Sequence, residues 1–169
     1  DELVQGMLSG GRVSGELLER VYTRSLGSPL FAGELVREMT ERGELVLDNG
    51  ARQPSLTLSE RVPLRVRALV AMLTAPLEES ERRVLALVAA AGAEGISLAD
   101  LRRGAAALDP PVSDTALFDA LDRALKVGIL EERNDAYAFR HPLIRSALYD
   151  DLPRHRRDQL QTALSGAPT

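Results

Sequence analysis

Apolar residues recur at helical spacing through most of this chain, and each run is bounded by residues that start or stop helices. Glu2 to Leu8 is a short helical candidate closed by Ser9-Gly10-Gly11. Ser14 caps a second segment whose stripe is Leu17, Leu18, Val21 and Tyr22, ending at Gly27. Ser28-Pro29 opens a third, as cap and first-turn proline, with Phe31, Leu35, Val36 and Met39 inward and Gly43 as its stop. Two short apolar runs follow, Leu45-Val46-Leu47 and Leu56-Thr57-Leu58, separated by Asp48-Asn49-Gly50 and Pro54. They read as a small hairpin with a long loop. Pro63 begins a fourth helix reaching about Ala75, with Val66, Leu69, Val70 and Leu73 inward. Pro76 is the candidate joint between two halves.

The second half repeats the pattern with cleaner punctuation. Glu78-Glu79 supply acid for a helix start, Val84, Leu85, Val88 and Ala91 form its stripe, and Gly92 ends it. Ser97 caps a short helix with Leu98, Leu101 and Leu108 apolar, which Asp109-Pro110-Pro111 breaks. Ser113 or Asp114 caps the next, with Leu117, Leu121, Ala124 and Leu125 as stripe and Gly128 as stop. Ile129–Arg133 and Ala136–Arg140 then flank Asn134-Asp135, two residues that tolerate positive φ and suit a tight hairpin. Three helices and a two-stranded wing, in that order, are the order of a winged-helix domain. From Tyr137 the chain turns from strand to helix. His141 stands at the cap position, Pro142 follows as the first helical residue, and Leu143, Ile144, Ala147 and Leu148 make the stripe. Arg154–Leu164 is one more helical run before Gly166-Ala167-Pro168.

The expected fold is therefore mainly α. A small helical subdomain with an inserted hairpin (residues 1–76) precedes a winged-helix domain (77–152) and a C-terminal helix (153–169) that leads to a further helical region. Composition agrees. Of 169 residues 44% are hydrophobic but only 4% aromatic, so a packed core must be built from Leu, Val and Ala, which suits helices. A net charge of -4 argues against nucleic-acid binding by bulk electrostatics. The chain has no cysteine, which excludes disulfides, thiolate catalysis and Cys-based zinc sites. No apolar run has the length of a membrane span and no secretory signal pattern is visible, so a cytoplasmic location without membrane contact is expected. The first residue is Asp1 rather than Met, as in a segment of a longer protein. Lys126 is the only lysine among 21 basic residues, a bias typical of a high-GC genome.

That single lysine removes a whole class of chemistry. A P-loop needs Gly-Lys-Ser/Thr, and Lys126 lies between Leu125 and Val127. HExxH is absent, and no serine occupies a G-x-S-x-G elbow. Asp150-Asp151 and Glu131-Glu132 are adjacent carboxylates, but neighbours in sequence do not face each other on a helix or strand. An enzyme complete within this chain is not expected.

Four blocks carry a family resemblance. RSLGSPLFAGELV at 24–36 resembles the Gly-x-Pro segment in the lid of STAND-type NTPases, the AAA-related signalling ATPases. VPLRVRALV at 62–70 resembles the helix that follows there. ALDRALKVGILEE at 120–132 and YAFRHPLIRSALY at 137–149 resemble the winged-helix domain of the same family. The group most similar in this order of blocks is the large ATP-binding regulators of the LuxR family, with the MalT-like regulators. The resemblance implies a multidomain transcriptional regulator. A P-loop core of the same protein would bind ATP or ADP with Mg, and this segment would close over it. Helical repeats would follow, and DNA would be bound through a helix-turn-helix at the far C-terminus, outside this chain. Self-association belongs to the same expectation. In the related NB-ARC proteins the Gly-x-Pro proline packs beside the nucleotide base, which maps to Pro29. The histidine of their Met-His-Asp motif touches the ADP diphosphate and holds the off state. His141 matches it, although Arg140 and Pro142 replace the Met and Asp.

Two other readings compete. The winged helix could bind DNA itself, but its presumed recognition helix sets Asp114, Asp119 and Asp122 against Arg123 and Lys126, a poor match to phosphates. Arg154-His155-Arg156-Arg157 is the one basic run and reads as a solvated helix start. Alternatively, the apolar helix faces make the chain a protein-interaction module. For His141 the bland role is a helix cap or packing under the wing, and for Pro29 a helix-start proline.

Overall fold

Among the described residues the sequence punctuation becomes eight helices and two small sheets, so the chain is mainly α. The computed structural model of the chain describes Gly6, Leu8 and residues 12–48, 50–54 and 61–166. Of the short helix expected over Glu2–Leu8, only Gly6 and Leu8 fall among them. The chain forms two units, residues 1–67 and 68–169.

In the first unit, strand β1 (Arg12–Val13) leads into helix α1 (Gly15–Ser25), where the Leu17 amide donates to Ser14 Oγ at 3.2 Å. Such a cap stabilises a helix by about 1 kcal/mol. Helix α2 (Pro29–Glu41) starts on the expected proline and ends before Gly43, but the Ser28 side chain makes no capping bond. Leu17, Val21, Ala32, Val36 and Met39 form a buried cluster with Leu8, and Val13, Leu18 and Leu45 pack against it. Tyr22, expected in the stripe, instead lies outward and 66% exposed.

Strand β2 (Leu45–Asp48) pairs antiparallel with β3 (Ala51–Pro54) from Leu45↔Pro54 to Asp48↔Ala51. The partner strand thus begins at Ala51, not beyond a long loop. Leu56–Leu58, expected as the second strand, lies outside the described residues. β1 adds to β3 in parallel, giving the order β1-β3-β2. Helix α3 (Leu64–Thr74) buries Val66 and Val70, while Leu69 is half-buried and Leu73 exposed, so its inward stripe is narrower than expected.

The second unit is organised around helix α4 (Glu79–Ala90). It buries Val84, Leu85 and Val88 as expected, but also Leu87 and Ala89. A helix buried nearly all round is a core element, not an amphipathic surface one. Helices α5 (Leu98–Ala106), α6 (Asp114–Lys126), α7 (Pro142–Asp150) and α8 (Arg154–Ser165) all pack on it. Ser97 Oγ accepts the Asp100 amide at 3.1 Å and Ser113 Oγ that of Ala116 at 3.2 Å, so the expected caps of α5 and α6 form. A bidentate ion pair from Arg102 to Asp114 joins α5 to the start of α6 and lowers the Asp114 carboxyl below its ordinary range. Strands β5 (Leu130–Arg133) and β6 (Ala136–Phe139) make a hairpin on Asn134 (φ 52) and Asp135 (φ 58). A two-residue strand, β4 (Ile96–Ser97), pairs antiparallel with β6 and gives the order β4-β6-β5.

Candidate functional site

Pro29 belongs to the first unit and His141 to the second. Pro29 is exposed at the first position of α2, after a turn in which Leu26 (φ 47) and Gly27 (φ 74) are both left-handed. A leucine rarely adopts that conformation, because its Cβ crowds the following carbonyl. Leu26 and Leu30 are 50% and 58% exposed, and Tyr22 stands beside Gly27, so the proline sits in a small apolar surface patch.

His141 takes the N-cap of α7, between β6 and Pro142. Its backbone does the capping: its carbonyl accepts the amides of Ile144 at 3.0 Å and Arg145 at 3.3 Å. The imidazole makes no cap hydrogen bond and is half-buried, with Nδ1 inside. His141 is thus the N-cap residue of α7, through its backbone. Burial lowers its pKa first, and the neighbouring Arg140 guanidinium lowers it further, with Glu131 opposing. The Arg140 amide donates to Ile129 O at 3.1 Å, and its Nε lies 3.9 Å from Glu131. The ring is thus pushed toward the neutral form at pH 7, able to donate from one nitrogen and accept at the other. A phosphate oxygen placed against it would reverse the shift.

A concavity of about 240 Å³ opens between the start of α4 and α6. Its walls are Glu78, Ser80, Glu81, Ala116, Asp119, Asp122 and Arg123. Glu81 is 4% exposed, accepts the Glu78 amide at 2.7 Å and faces Arg123 Nε at 3.1 Å. The pair ties α4 to α6, and the remaining acids leave the outer face of α6 negative. Sequence reasoning passed over Glu81, although Glu78-x-x-Glu81 before an apolar run carries the spacing of a capping box.

The far end of α4 is held by side chains. Arg145 Nη1 donates to Ala89 O at 3.1 Å, and Gln161 Nε2 to Ala90 O at 3.0 Å. No local pattern announces contacts across such sequence distances. Among the described residues no three His, Cys, Asp or Glu side chains gather to hold a metal ion, and no helix is long and apolar enough to cross a membrane. Set against protein-family models, curated proteins and solved structures, the chain finds no match in any of the three.

Proposed function

We propose that this chain is the regulatory segment of an ATP-dependent transcriptional regulator, closing over nucleotide held by a P-loop core elsewhere in the same protein. The first unit is then the lid and the second a winged helix that relays nucleotide state. Support for the winged helix comes from the order α4, β4, α5, α6, β5, β6 and from the β4-β6-β5 sheet. The observation that carries the nucleotide reading is His141. A half-buried imidazole stands at a helix N-terminus, where its own carbonyl accepts the first amides of α7. Helix N-termini favour phosphate through their dipole and amides. Pro142, at the first helical position, has no amide to give. Pro29, exposed among Leu26 and Leu30, suits the base side of a nucleotide.

In the full-length protein, His141→Ala is expected to speed ADP release about tenfold and to raise basal activity. Loss of one hydrogen bond to a charged group is worth roughly 1.5–3 kcal/mol. Release of pre-bound labelled ADP, followed by filter binding, measures it. Unchanged ADP release together with unchanged basal activity overturns the reading.

The alternative, a winged helix that itself binds DNA, meets the wrong charge. Asp119 and Asp122 are exposed on the outer face of α6, the helix that would enter the groove. No shift of duplex DNA is expected in a gel at physiological salt, up to micromolar chain. A salt-sensitive shift would favour the DNA reading.

A further inference from the structure

Helix α8 is bound to the rest of its unit in an unusual way. Of its twelve residues only Leu160 and Ala163 are buried. Its N-cap is Pro153, with no side-chain capping bond, and its first turn is Arg154-His155-Arg156-Arg157 with no acid. Positive charge at a helix N-terminus opposes the macrodipole, so this helix is poorly stabilised by its own residues. Its helicity depends on docking.

The docking contacts form a clasp at one place. Gln161 donates both to Ala90 O at 3.0 Å and to Tyr149 Oη at 3.4 Å, one turn beyond the point where the Arg157 guanidinium lies 5.7 Å over the Tyr149 ring. The clasp carries a built-in penalty, since Arg157 Nε is buried without a hydrogen-bond partner. Below it, Leu164 and Leu87 flank buried Gly104, each within 3.4 Å of where a Cβ would stand. Undocking would return Arg157 Nε and Ala90 O to water, while Arg145 still holds Ala89 O. The end of α4 thus keeps one of its two side-chain partners when α8 leaves.

We propose that α8 is a releasable strap: it docks on α4 and α5 as one piece and detaches as one piece while the rest of the unit stays folded. Tyr149, the clasp residue, lies at the far end of α7 from His141. One short helix therefore connects the imidazole corner to the strap. The strap stands on the packing of the second unit and not on the nucleotide reading, so either can fail alone.

Native-state hydrogen exchange on the full chain tests it. Amides 157–165 should exchange together through an opening far more frequent than the one exposing amides 83–90. Gln161→Ala and, separately, Leu164→Ala should each speed exchange across 157–165 at least about fivefold, the scale of one net hydrogen bond. Exchange in α4 and α6 should not move. If α8 and α4 exchange through the same opening and both variants shift them together, α8 is an integral part of the core and the strap is wrong. Exchange that spreads gradually backward from residue 165, indifferent to Gln161→Ala, is end fraying and overturns it equally.

Discussion

Gly95→Ala should cost the second unit about 3 kcal/mol, the sum of two penalties of roughly 1–2 and 1–3 kcal/mol. The first is backbone strain. Gly95 has φ +85, where an L side chain meets its own following carbonyl. The second is a collision with backbone. A Cβ at this position would stand 2.5 Å from Tyr137 O, 2.9 Å from Ala138 Cβ and 3.0 Å from Tyr137 C. No flexible side chain can yield there. Relief requires β4 to draw away from β6, which breaks the Ile96↔Tyr137 pairing. Because β4 is only two residues long, no longer ladder would hold the register. Urea denaturation followed by circular dichroism measures the loss, and the midpoint of thermal unfolding should fall by more than about 10 °C. A loss under about 1 kcal/mol would show that this edge of the sheet is soft and that β4 contributes little. His141 sits just past the end of β6, so the same variant should also loosen the corner that positions the ring.

The helices were legible because their punctuation is local. Ser14, Ser97 and Ser113 each cap the helix expected of them, and Asn134-Asp135 makes the turn that its tolerance for positive φ suggests. β1 and β4 were not legible. Two residues are too few for a period of two to show, and each strand exists only because a longer strand offers its edge. The long loop expected in the first hairpin is absent, since the ladder begins at Ala51 even though Ala51-Arg52-Gln53-Pro54 carries no apolar alternation. Tyr22 and Leu73 show the limit of stripes: helical spacing places a residue on a face, but the neighbouring element decides how wide the buried face is.

For the site, the corner at His141 was legible to the residue, including Pro142 as the first helical position. Its environment was not. Whether an imidazole caps with its ring or leaves that to its carbonyl depends on χ angles and on Arg140 and Glu131, which come from the neighbouring hairpin. The same holds for Gln161 and Arg145, whose partners on α4 lie 71 and 56 positions away. An exposed-looking polar residue on a polar helix carries no sign of such a partner. Pro29 was legible as a helix start, whereas the left-handed Leu26 ahead of it was not, because only Gly27 in that turn announces positive φ.

Leu87→Ala is expected to have the larger effect of the two, a loss of about 3–4 kcal/mol, within the range for a buried leucine truncated in a tight core. Leu87, three residues after Val84, stands at the edge of the stripe of Val84, Leu85 and Val88 and is fully buried. The reason is that α4 is covered on several sides, by α5, α6, α7 and α8. Leu87 and Leu164 of α8 both reach the space over Gly104 of α5 where a Cβ would stand. Truncation leaves a cavity that Gly104 has no side chain to fill, and inward collapse of α5 is resisted by its ion pair to Asp114. Leu87→Met, which keeps the volume, should cost under about 1.5 kcal/mol. Phe118→Ala on the exposed face of α6 should change stability by about 0.5 kcal/mol or less. Equilibrium urea unfolding of the three variants separates the cases. Equal losses for Leu87→Ala and Phe118→Ala would mean that α4 is not enclosed as described. The strap adds a second signature: with its floor removed, α8 should exchange faster in Leu87→Ala than global destabilisation alone explains, because Leu164 loses an apolar neighbour while the polar clasp at Gln161 stays intact.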